Sequence, residues 1–324
     1  MFKFSSIYLL AALSAFIVTP AQAKPQTFVA SYGDDANPCG RVLPCRQFTK
    51  AMSVTDTNGE VVVLDSADYE PITITKSISI TVPPGIYAGI AVPSDDISGV
   101  TINANGANVV LRGLTITGNS QSEGSELSLS AGILMTAGSK LSIENCVISN
   151  FSSPDSSNIQ PAVLVQTTAT VRMVNTVIRN NEVGALFLDG STADISGSKF
   201  MGNSLYGIVS NNKINGTTTT ASVSDTVVTG SGTIGIAAIV ESGTSAIAKV
   251  EIVRSIISNY NEGVRAESQN GTASVSIRKS MVTGSSAYGL VQNGASSTMT
   301  SYGKNTLVNN SSNLLGILTT AAPL

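Results

Sequence analysis

The 324-residue sequence contains no histidine and no tryptophan, and it has only three cysteines. The absence of histidine removes the side chain that most often serves as a general acid or base and as a metal ligand. Charge is also scarce, because 18 basic and 21 acidic residues make up 12% of the chain and leave a net charge of −3. Nucleic-acid recognition needs a basic face that meets phosphate, so we expect no nucleic-acid partner.

The longest apolar segment lies at the amino terminus. MFKFSSIYLLAALSAFIVTPAQA has one positive charge at Lys3, an apolar segment from Ile7 to Val18, and Ala21-Gln22-Ala23 as a cleavage site. These features predict a signal peptide over residues 1–23. The apolar segment is shorter than the roughly 20 residues that a membrane span needs, and so is every later one. We therefore expect a secreted protein, extracellular or periplasmic, without a membrane span.

The rest of the chain is rich in Gly, Ser, Thr, Asn and Val, a mixture typical of strands joined by tight turns. An eight-residue motif opens with an apolar or aromatic residue, has a second apolar residue five positions later, and ends in Gly or Asn. Its copies are LRGLTITG (111–118), IENCVISN (143–150), MVNTVIRN (173–180), ISGSKFMG (195–202), VSDTVVTG (223–230), IVRSIISN (252–259), IRKSMVTG (277–284) and YGKNTLVN (302–309).

A second motif, a glycine followed by an aliphatic residue, comes after each copy of the first. It occurs in AGILM at 131, GALFL at 184, YGIVS at 206, IGIAA at 234, EGVRA at 262, YGLVQ at 288 and LGILT at 315, and Ala162 replaces the glycine in PAVLV at 161. We attribute the glycine to a turn into a strand, where it tolerates backbone angles that other residues resist. Each repeat thus predicts a coil of three short strands.

Coils of this kind form a parallel β-helix, in which each strand pairs with its equivalents about 4.8 Å away and equivalent inward side chains stack. We predict an all-β protein whose residues 60–324 form a parallel β-helix of about ten coils. Three inward rows follow from the motifs: Leu111, Ile143, Met173, Ile195, Val223, Ile252, Ile277 and Tyr302; Ile116, Ile148, Ile178, Phe200, Val228, Ile257, Val282 and Leu307; Ile133, Val163, Ala185, Ile208, Ile236, Val264, Leu290 and Ile317.

The first coil of a β-helix exposes unpaired strand edges, which need a cover. We assign residues 24–59 to an amino-terminal cap, in which PCRQFTKAM forms a short helix with Phe48 and Met52 over the first coil. Cys39 and Cys45 are expected to form a disulfide in this cap, because an exported chain meets an oxidising compartment. Two cysteines without histidine are too few for a zinc site.

With these motifs the chain resembles the right-handed parallel β-helix proteins of the pectin-lyase-like superfamily over roughly residues 60–318. Its DDANPCGRVLPCRQF segment is also similar to the cap of secreted bacterial β-helix repeat proteins. The resemblance implies a right-handed solenoid, as does the general handedness of parallel crossovers. It also implies a relation to enzymes that act on acidic polysaccharides. The hydrolase motifs Gly-His-Gly, Asn-Thr-Asp and Arg-Ile-Lys are absent, whereas a lyase with calcium-binding carboxylates and an Arg or Lys base stays open.

The strand that starts at the glycine motif resembles the one that carries catalytic groups in these enzymes. If Ile133 and its equivalents point inward, the next residue of each coil points outward, and seven of these eight are aliphatic. We call this set the ridge: Leu134, Leu164, Leu186, Val209, Ala237, Arg265, Val291 and Leu318. A catalytic face would carry carboxylates and cations, so the ridge predicts a contact surface. Either the loops 119–131 and 151–161 cover it, or another copy or a surface protein packs on it.

Two sets of charged residues are candidates for glycan or ion contacts. The first set lies in loops on one edge of neighbouring coils and would bind calcium or a cationic sugar, or else be simply solvated: Asp95, Asp96, Glu123, Glu126 and Asp155. Calcium is the only cofactor that the sequence suggests. The second set, Arg254, Lys279 and Lys304, shares one position in three successive coils and would meet an anionic glycan. Asp225 precedes it in the same position, so a mixed surface ladder is the alternative.

Cys146 occupies a position that mostly small residues fill in the other coils: Leu114, Thr176, Ser198, Thr226, Ser255, Ser280 and Asn305. We therefore expect a buried packing residue and not a reactive thiol. The leading hypothesis is a secreted, non-catalytic β-helix scaffold that binds a glycan or a surface protein along its length. The alternatives are a polysaccharide lyase, or a related carbohydrate-active enzyme acting on acidic polysaccharide, and an adhesin-like oligomer.

Overall fold

The computed structural model describes residues 24–93, 97–119, 130–152 and 159–322. Within these ranges the chain forms 32 strands and one short helix, and all neighbouring strands run parallel. A full coil contributes one strand to each of three sheets, and the coils wind into a right-handed β-helix of about ten turns. The fold class predicted from the repeats is confirmed.

The three sheets are named here in the order in which the chain first enters them. Sheet A consists of β1 (Lys24–Val29), β2 (Thr55–Val63), β5 (Ile78–Thr81), β8 (Asn108–Arg112), β11 (Lys140–Glu144), β14 (Thr170–Val174), β17 (Thr192–Ser196), β20 (Thr218–Ser224), β23 (Ile247–Val253), β26 (Thr272–Arg278), β29 (Ser297–Ser301) and β32 (Thr319–Thr320).

Sheet B consists of β3 (Ala67–Tyr69), β6 (Ala88–Ala91), β9 (Leu114–Thr117), β12 (Val147–Ser149), β15 (Val177–Arg179), β18 (Lys199–Met201), β21 (Val227–Thr229), β24 (Ile256–Ser258), β27 (Met281–Thr283) and β30 (Thr306–Val308). Sheet C consists of β4 (Ile72–Ile74), β7 (Val100–Asn103), β10 (Ile133–Ala137), β13 (Pro161–Val165), β16 (Val183–Leu188), β19 (Tyr206–Asn211), β22 (Ile234–Val240), β25 (Glu262–Ser268), β28 (Tyr288–Asn293) and β31 (Ser312–Leu315).

The strand register confirms the three inward rows in every coil except the last. In sheet B, for example, Ile148 pairs with Ile116 on one side and Ile178 on the other, and all three side chains are fully buried. Stacking of similar aliphatic side chains at one position per coil produces a continuous core along the whole solenoid.

In the last coil two of the three rows were assigned wrongly from the sequence. Ile277 pairs with Ser301 and not with Tyr302, because the corner after β29 holds one residue more than the repeat alignment allowed. Gly303 and Lys304 both take left-handed backbone angles there, with φ of 85° and 58°. In sheet C, Leu314 takes the inward place that had been assigned to Ile317.

The glycine of the second motif is needed for a reason other than the expected one. At Gly132, Gly235 and Gly263 the backbone is not left-handed. A Cβ at each of these positions would instead lie 2.6 Å from the carbonyl oxygen of the equivalent residue in the next coil. Glycine therefore permits a close approach between coils at the start of β10, β22 and β25.

The amino-terminal cap forms as predicted. Helix α1 (Phe48–Val54) buries Phe48, Ala51 and Met52 against the first coil. Cys39 and Cys45 form a disulfide, and Cys45 also makes a parallel bridge with Val29 of β1. The predicted signal peptide, residues 1–23, lies outside the described residues. No helix in the described ranges is long and apolar enough to cross a membrane.

Candidate functional site

From Gly113 onward, each coil bends from sheet A to sheet B at a residue with a left-handed backbone, which Gly303 precedes in the last coil. In the earlier coils this corner residue is Gly113, Asn145, Asn175 or Gly197, with φ between 50° and 74°. Glycine and asparagine are the residues that tolerate this conformation best. In the later coils the same corner is held by charged residues: Asp225, Arg254, Lys279 and Lys304, with φ of 50°, 49°, 51° and 58°.

The three cations, Arg254, Lys279 and Lys304, form a row that we call the cationic corner. Their side chains are exposed, and successive members belong to coils about 4.8 Å apart. Arg254 donates two hydrogen bonds to Asp225, from Nε to Oδ1 at 2.7 Å and from Nη2 to Oδ2 at 2.6 Å. These bonds hold the pKa of the Asp225 carboxyl below its usual value.

The ladder is therefore mixed at its first step, as the alternative interpretation expected. Beyond that step it is purely cationic. Among the described residues, no carboxylate forms an ion pair with Lys279 or Lys304. The corner thus presents two ammonium groups that are free to meet an external anion.

A shallow groove lies beside the cationic corner on the outer face of sheet A. The extra residue in the last corner turns Tyr302 outward, so that its side chain is 38% exposed. Tyr302 lines two adjoining hollows of about 380 and 230 Å³. We call them together the Tyr302 groove, and their other polar or charged lining residues are Lys249, Glu251, Ser274, Ser276, Arg278 and Thr300. An aromatic ring flanked by hydroxyl and charged groups can contact both the apolar and the polar faces of a sugar.

The structure also places the ridge, on the outer face of sheet C. Leu134, Leu164, Leu186, Val209, Ala237, Arg265 and Val291 pair in successive strands, and Leu315 follows them instead of Leu318. The ridge is not a bare strip, since Leu164, Val209 and Val291 are only 1–2% exposed and Leu186 is half-buried. The loops proposed as its cover fall largely on residues 120–129 and 153–158, which lie outside the described residues.

Arg265 interrupts the ridge and forms the centre of an ion cluster that the sequence interpretation missed. Its guanidinium binds both carboxylate oxygens of Glu262 at 2.7 and 2.8 Å and one oxygen of Glu267 at 2.8 Å. The Arg265 and Glu267 side chains are each 23% exposed, and that of Glu262 is 11% exposed. Strand alternation in EGVRAE already places Arg265 and Glu267 on one face. Glu262 also binds Arg265, although strict alternation would place residues 262 and 265 on opposite faces.

Within the cluster, the guanidinium of Arg265 is paired with the carboxylates of Glu262 and Glu267. Burial lowers the pKa of Arg265, but the hydrogen bonds and charges of Glu262 and Glu267 outweigh burial and raise the pKa overall. A guanidinium held in this way stays protonated and cannot remove a proton from a substrate. The arrangement therefore suits a structural clamp and does not suit a general base.

The loop acids proposed for calcium or a cationic sugar, Asp95, Asp96, Glu123, Glu126 and Asp155, all lie outside the described residues. Within the described ranges, no three Cys, Asp or Glu side chains cluster in a way that would hold a metal ion.

Cys146 is buried, as expected, and is 1% exposed. Burial raises the pKa of its thiol to about 11. Its equivalents form a ladder, in which the backbone N–H of Thr176 donates to Ser198 Oγ, that of Ser198 to Thr226 Oγ1, and that of Thr226 to Ser255 Oγ. The position therefore has a packing role within the coil, and Cys146 is not an activated nucleophile.

Comparison with known proteins agrees with this architecture. A family model described as right handed beta helix region matches residues 98–312. No curated protein matches the sequence. Among solved structures, the pectate lyase Pel9A is 14% identical, with 86% of this chain and 78% of that one aligned at a TM-score of 0.56. A rhamnogalacturonan lyase is 11% identical, with 90% and 86% aligned at a TM-score of 0.51.

A third similar structure, tailspike protein 2 from the Escherichia coli O157:H7 bacteriophage CAB120, is 14% identical at a TM-score of 0.54, with 89% of this chain and 42% of that one aligned. Identities this low show a shared fold, and function must be argued from the site itself.

Proposed function

Because the chain belongs to the right-handed β-helix family, we propose that it is an exported, non-catalytic β-helix that binds an anionic polysaccharide through the cationic corner and the Tyr302 groove. The observation that carries this proposal is the placement of three cations in successive coils at a corner that glycine or asparagine fills in four earlier coils of the same solenoid.

The left-handed backbone at these three positions is evidence that the cationic side chains have a function. A left-handed conformation costs an ordinary L-residue about 1–2 kcal/mol, and asparagine or glycine would reduce that cost. Arg254, Lys279 and Lys304 adopt this left-handed conformation in three consecutive coils. Strained backbone of this kind tends to occur at functional positions, where the side chain is needed for something other than folding. A row of cations with one step per coil suits a polymer that carries a negative charge on successive residues.

The Tyr302 groove gives the same surface a means of contacting sugar rings. Lys249 and Arg278 outnumber the acidic lining residue Glu251 around the exposed ring of Tyr302, and Ser276 offers a hydroxyl group. Ionic contacts alone would bind any polyanion, whereas an aromatic contact adds selectivity for a sugar chain. The similar β-helix structures of a pectate lyase and a rhamnogalacturonan lyase support a polysaccharide ligand.

A lyase is the second candidate, since two of the similar structures are lyases. The clamped state of Arg265 argues against it, because the guanidinium of Arg265 on sheet C is occupied by Glu262 and Glu267. Export is supported by the Cys39–Cys45 disulfide, which persists in oxidising compartments.

Binding is tested by titrating the purified mature protein with polygalacturonate, with alginate and with neutral dextran, in calorimetry at several salt concentrations. We expect binding to the two polyuronates that weakens with salt, and none to dextran. The double variant Lys279→Asn/Lys304→Asn should lose most of this binding, whereas Lys140→Asn, which removes an exposed cation from an early coil, should keep it. Equal affinity for dextran, or equal loss in both variants, would contradict the proposal. Release of unsaturated, ultraviolet-absorbing products would establish the lyase instead.

A further inference from the structure

The corner between sheets A and B is far longer in one early coil than in the coils that follow it. Residues 82–87 join β5 to β6 there, whereas Gly113 alone joins β8 to β9 in the next coil. Because the long corner extends past the short ones, a hollow of about 600 Å³ opens beside it. We call this hollow the corner pocket, and it is lined by residues 81–86, Arg112, Gly113 and Asn145.

One wall of the corner pocket is a rigid turn. The backbone N–H of Ile86 donates to Pro83 O at 3.2 Å, and Gly85 has a left-handed φ of 88°. Proline in the second place and glycine in the third are the signature of a type II turn. Pro83 and Pro84 have fixed backbone angles and carry no N–H group that would need a partner. The wall is therefore formed before any ligand binds, and it presents the apolar faces of two proline rings.

Arg112 supplies the charge of the corner pocket. Its Nε donates to Glu144 Oε2 at 2.8 Å, whereas its two Nη groups donate to no described protein atom. Glu144 also accepts a hydrogen bond from Arg172 Nη1 at 3.0 Å. The hydrogen bonds from Arg112 and Ser142 hold the pKa of the Glu144 carboxyl below its usual value. Two guanidinium groups thus share one ionised carboxylate, which leaves a net positive charge.

We propose that the corner pocket binds the carboxylate of a small aromatic acid. The free Nη groups of Arg112 can hold a carboxylate through two parallel hydrogen bonds. Proline rings pack well against aromatic rings, as proline-rich segments do when they dock on aromatic surfaces. No acidic residue is among the described residues that line the pocket, so none repels the ligand.

The shape and the lining favour an aromatic acid over a sugar acid. The volume falls within the range of about 300–1,000 Å³ that is usual for small-molecule sites. A sugar acid would need hydrogen-bond partners for its hydroxyl groups, and the proline rings do not supply them. The pocket lies five coils before Arg254, about 24 Å away at roughly 4.8 Å per coil. The inference therefore stands independently of the proposed glycan site.

A fluorescence titration with 2-naphthoate tests the inference, because the protein has no tryptophan whose emission would overlap. We expect saturable binding of 2-naphthoate, and at least about tenfold weaker binding of the neutral naphthalene-2-carboxamide. Arg112→Gln should weaken the binding of 2-naphthoate by about tenfold or more. Arg172→Gln is the matched control, since it also removes a guanidinium from Glu144 but lies outside the pocket lining; its effect should stay below about threefold.

A second pair of variants blocks the pocket without removing Arg112. Thr81 pairs with Arg112 in the strand register, so the new carboxylate of Thr81→Glu would lie beside the free Nη groups. Both Thr81→Glu and Thr81→Gln lose the hydrogen bond from Thr81 to Glu60, and they differ only in charge. The affinity for 2-naphthoate should be at least about tenfold lower in Thr81→Glu than in Thr81→Gln. Circular dichroism verifies that each variant is folded.

Four results would overturn the inference. They are the absence of 2-naphthoate binding at millimolar concentrations, equal affinity for the carboxamide, and equal affinity in wild type and Arg112→Gln. The fourth is loss of binding in Lys279→Asn/Lys304→Asn while Arg112→Gln binds normally, which would assign the aromatic acid to the cationic corner.

Discussion

Replacing Lys279 with asparagine should stabilise the protein and at the same time weaken its binding to a polyanion. Lys279 has φ of 51°, almost the same as the 50° of Asn175 at the equivalent corner. Asparagine tolerates the left-handed region better than lysine, which pays part of a cost of about 1–2 kcal/mol there. The backbone N–H of Lys279 donates to Gly303 O at 3.1 Å, and the substitution leaves this bond in place.

The expected gain is about 0.5–1 kcal/mol, because no ion pair with a described carboxylate is lost to offset it. Urea unfolding followed by circular dichroism measures the gain, and hydrogen exchange of residues 277–284 localises it, since solenoids can unfold coil by coil. Lys140→Asn is the control, because Lys140 lies in β11 with an ordinary strand backbone and pairs with Asn108 and Thr170 in the neighbouring coils. It should not raise the urea midpoint.

Two outcomes would refute separate parts of the reasoning. An unchanged or lower urea midpoint for Lys279→Asn would show that the lysine corner carries no backbone cost, and the main support for the proposed site would be lost. A higher midpoint with unchanged polygalacturonate affinity would leave the backbone argument standing and remove Lys279 from the binding surface. Only a gain in stability together with a loss of affinity agrees with both parts.

Three further predictions follow from buried features. Arg265→Met should cost about 2–4 kcal/mol in urea unfolding, because it leaves the nearly buried Glu262 carboxylate unpaired; combining it with Glu262→Gln should recover part of the loss, and strict additivity would count against the clamp. Gly235→Ala should cost about 1–3 kcal/mol, because its Cβ would meet Gly263 O at 2.6 Å; an unchanged midpoint would show that the coils separate easily. Cys146 should react slowly with thiol reagents in the native protein, since burial raises the pKa of its thiol to about 11. Because this folded-state pKa lies above the ordinary value of 9.0, the stability linked to the protonated thiol is present below about pH 9 and is lost as the pH rises toward 11. Compared with Cys146→Ser, the wild type should therefore show the steeper alkaline loss of urea midpoint, and parallel curves would contradict this.

The sequence alone was sufficient to predict the β-helix, its cap, and its inward rows in every coil but the last. Each of these depends on chemistry that recurs at short range: an aliphatic residue at the same place in each motif, or two cysteines six positions apart. A core residue such as Ile148 has its equivalents Ile116 and Ile178 as neighbours, so the repeat alone predicts which core side chains are in contact. The same logic identified Cys146 as buried.

The surface was less predictable, because its chemistry depends on the strand register and on which charged side chains pair with one another. One additional residue in the last corner moves Tyr302 from the core row to the outer face of sheet A, since strand side chains alternate between faces. The glycine of the second motif is required by a carbonyl in the next coil, which no local pattern reveals.

What the sequence determined by itself was therefore the coil, since every coil repeats the same inward chemistry. What only the tertiary structure decided was which charges are paired and which are free. Arg254 has Asp225 as its partner and Arg265 has Glu262, whereas Lys279 has no described carboxylate beside it. The repeat placed Asp225 in the coil beside Arg254, but whether two such side chains bind depends on side-chain geometry between coils, which periodicity does not give.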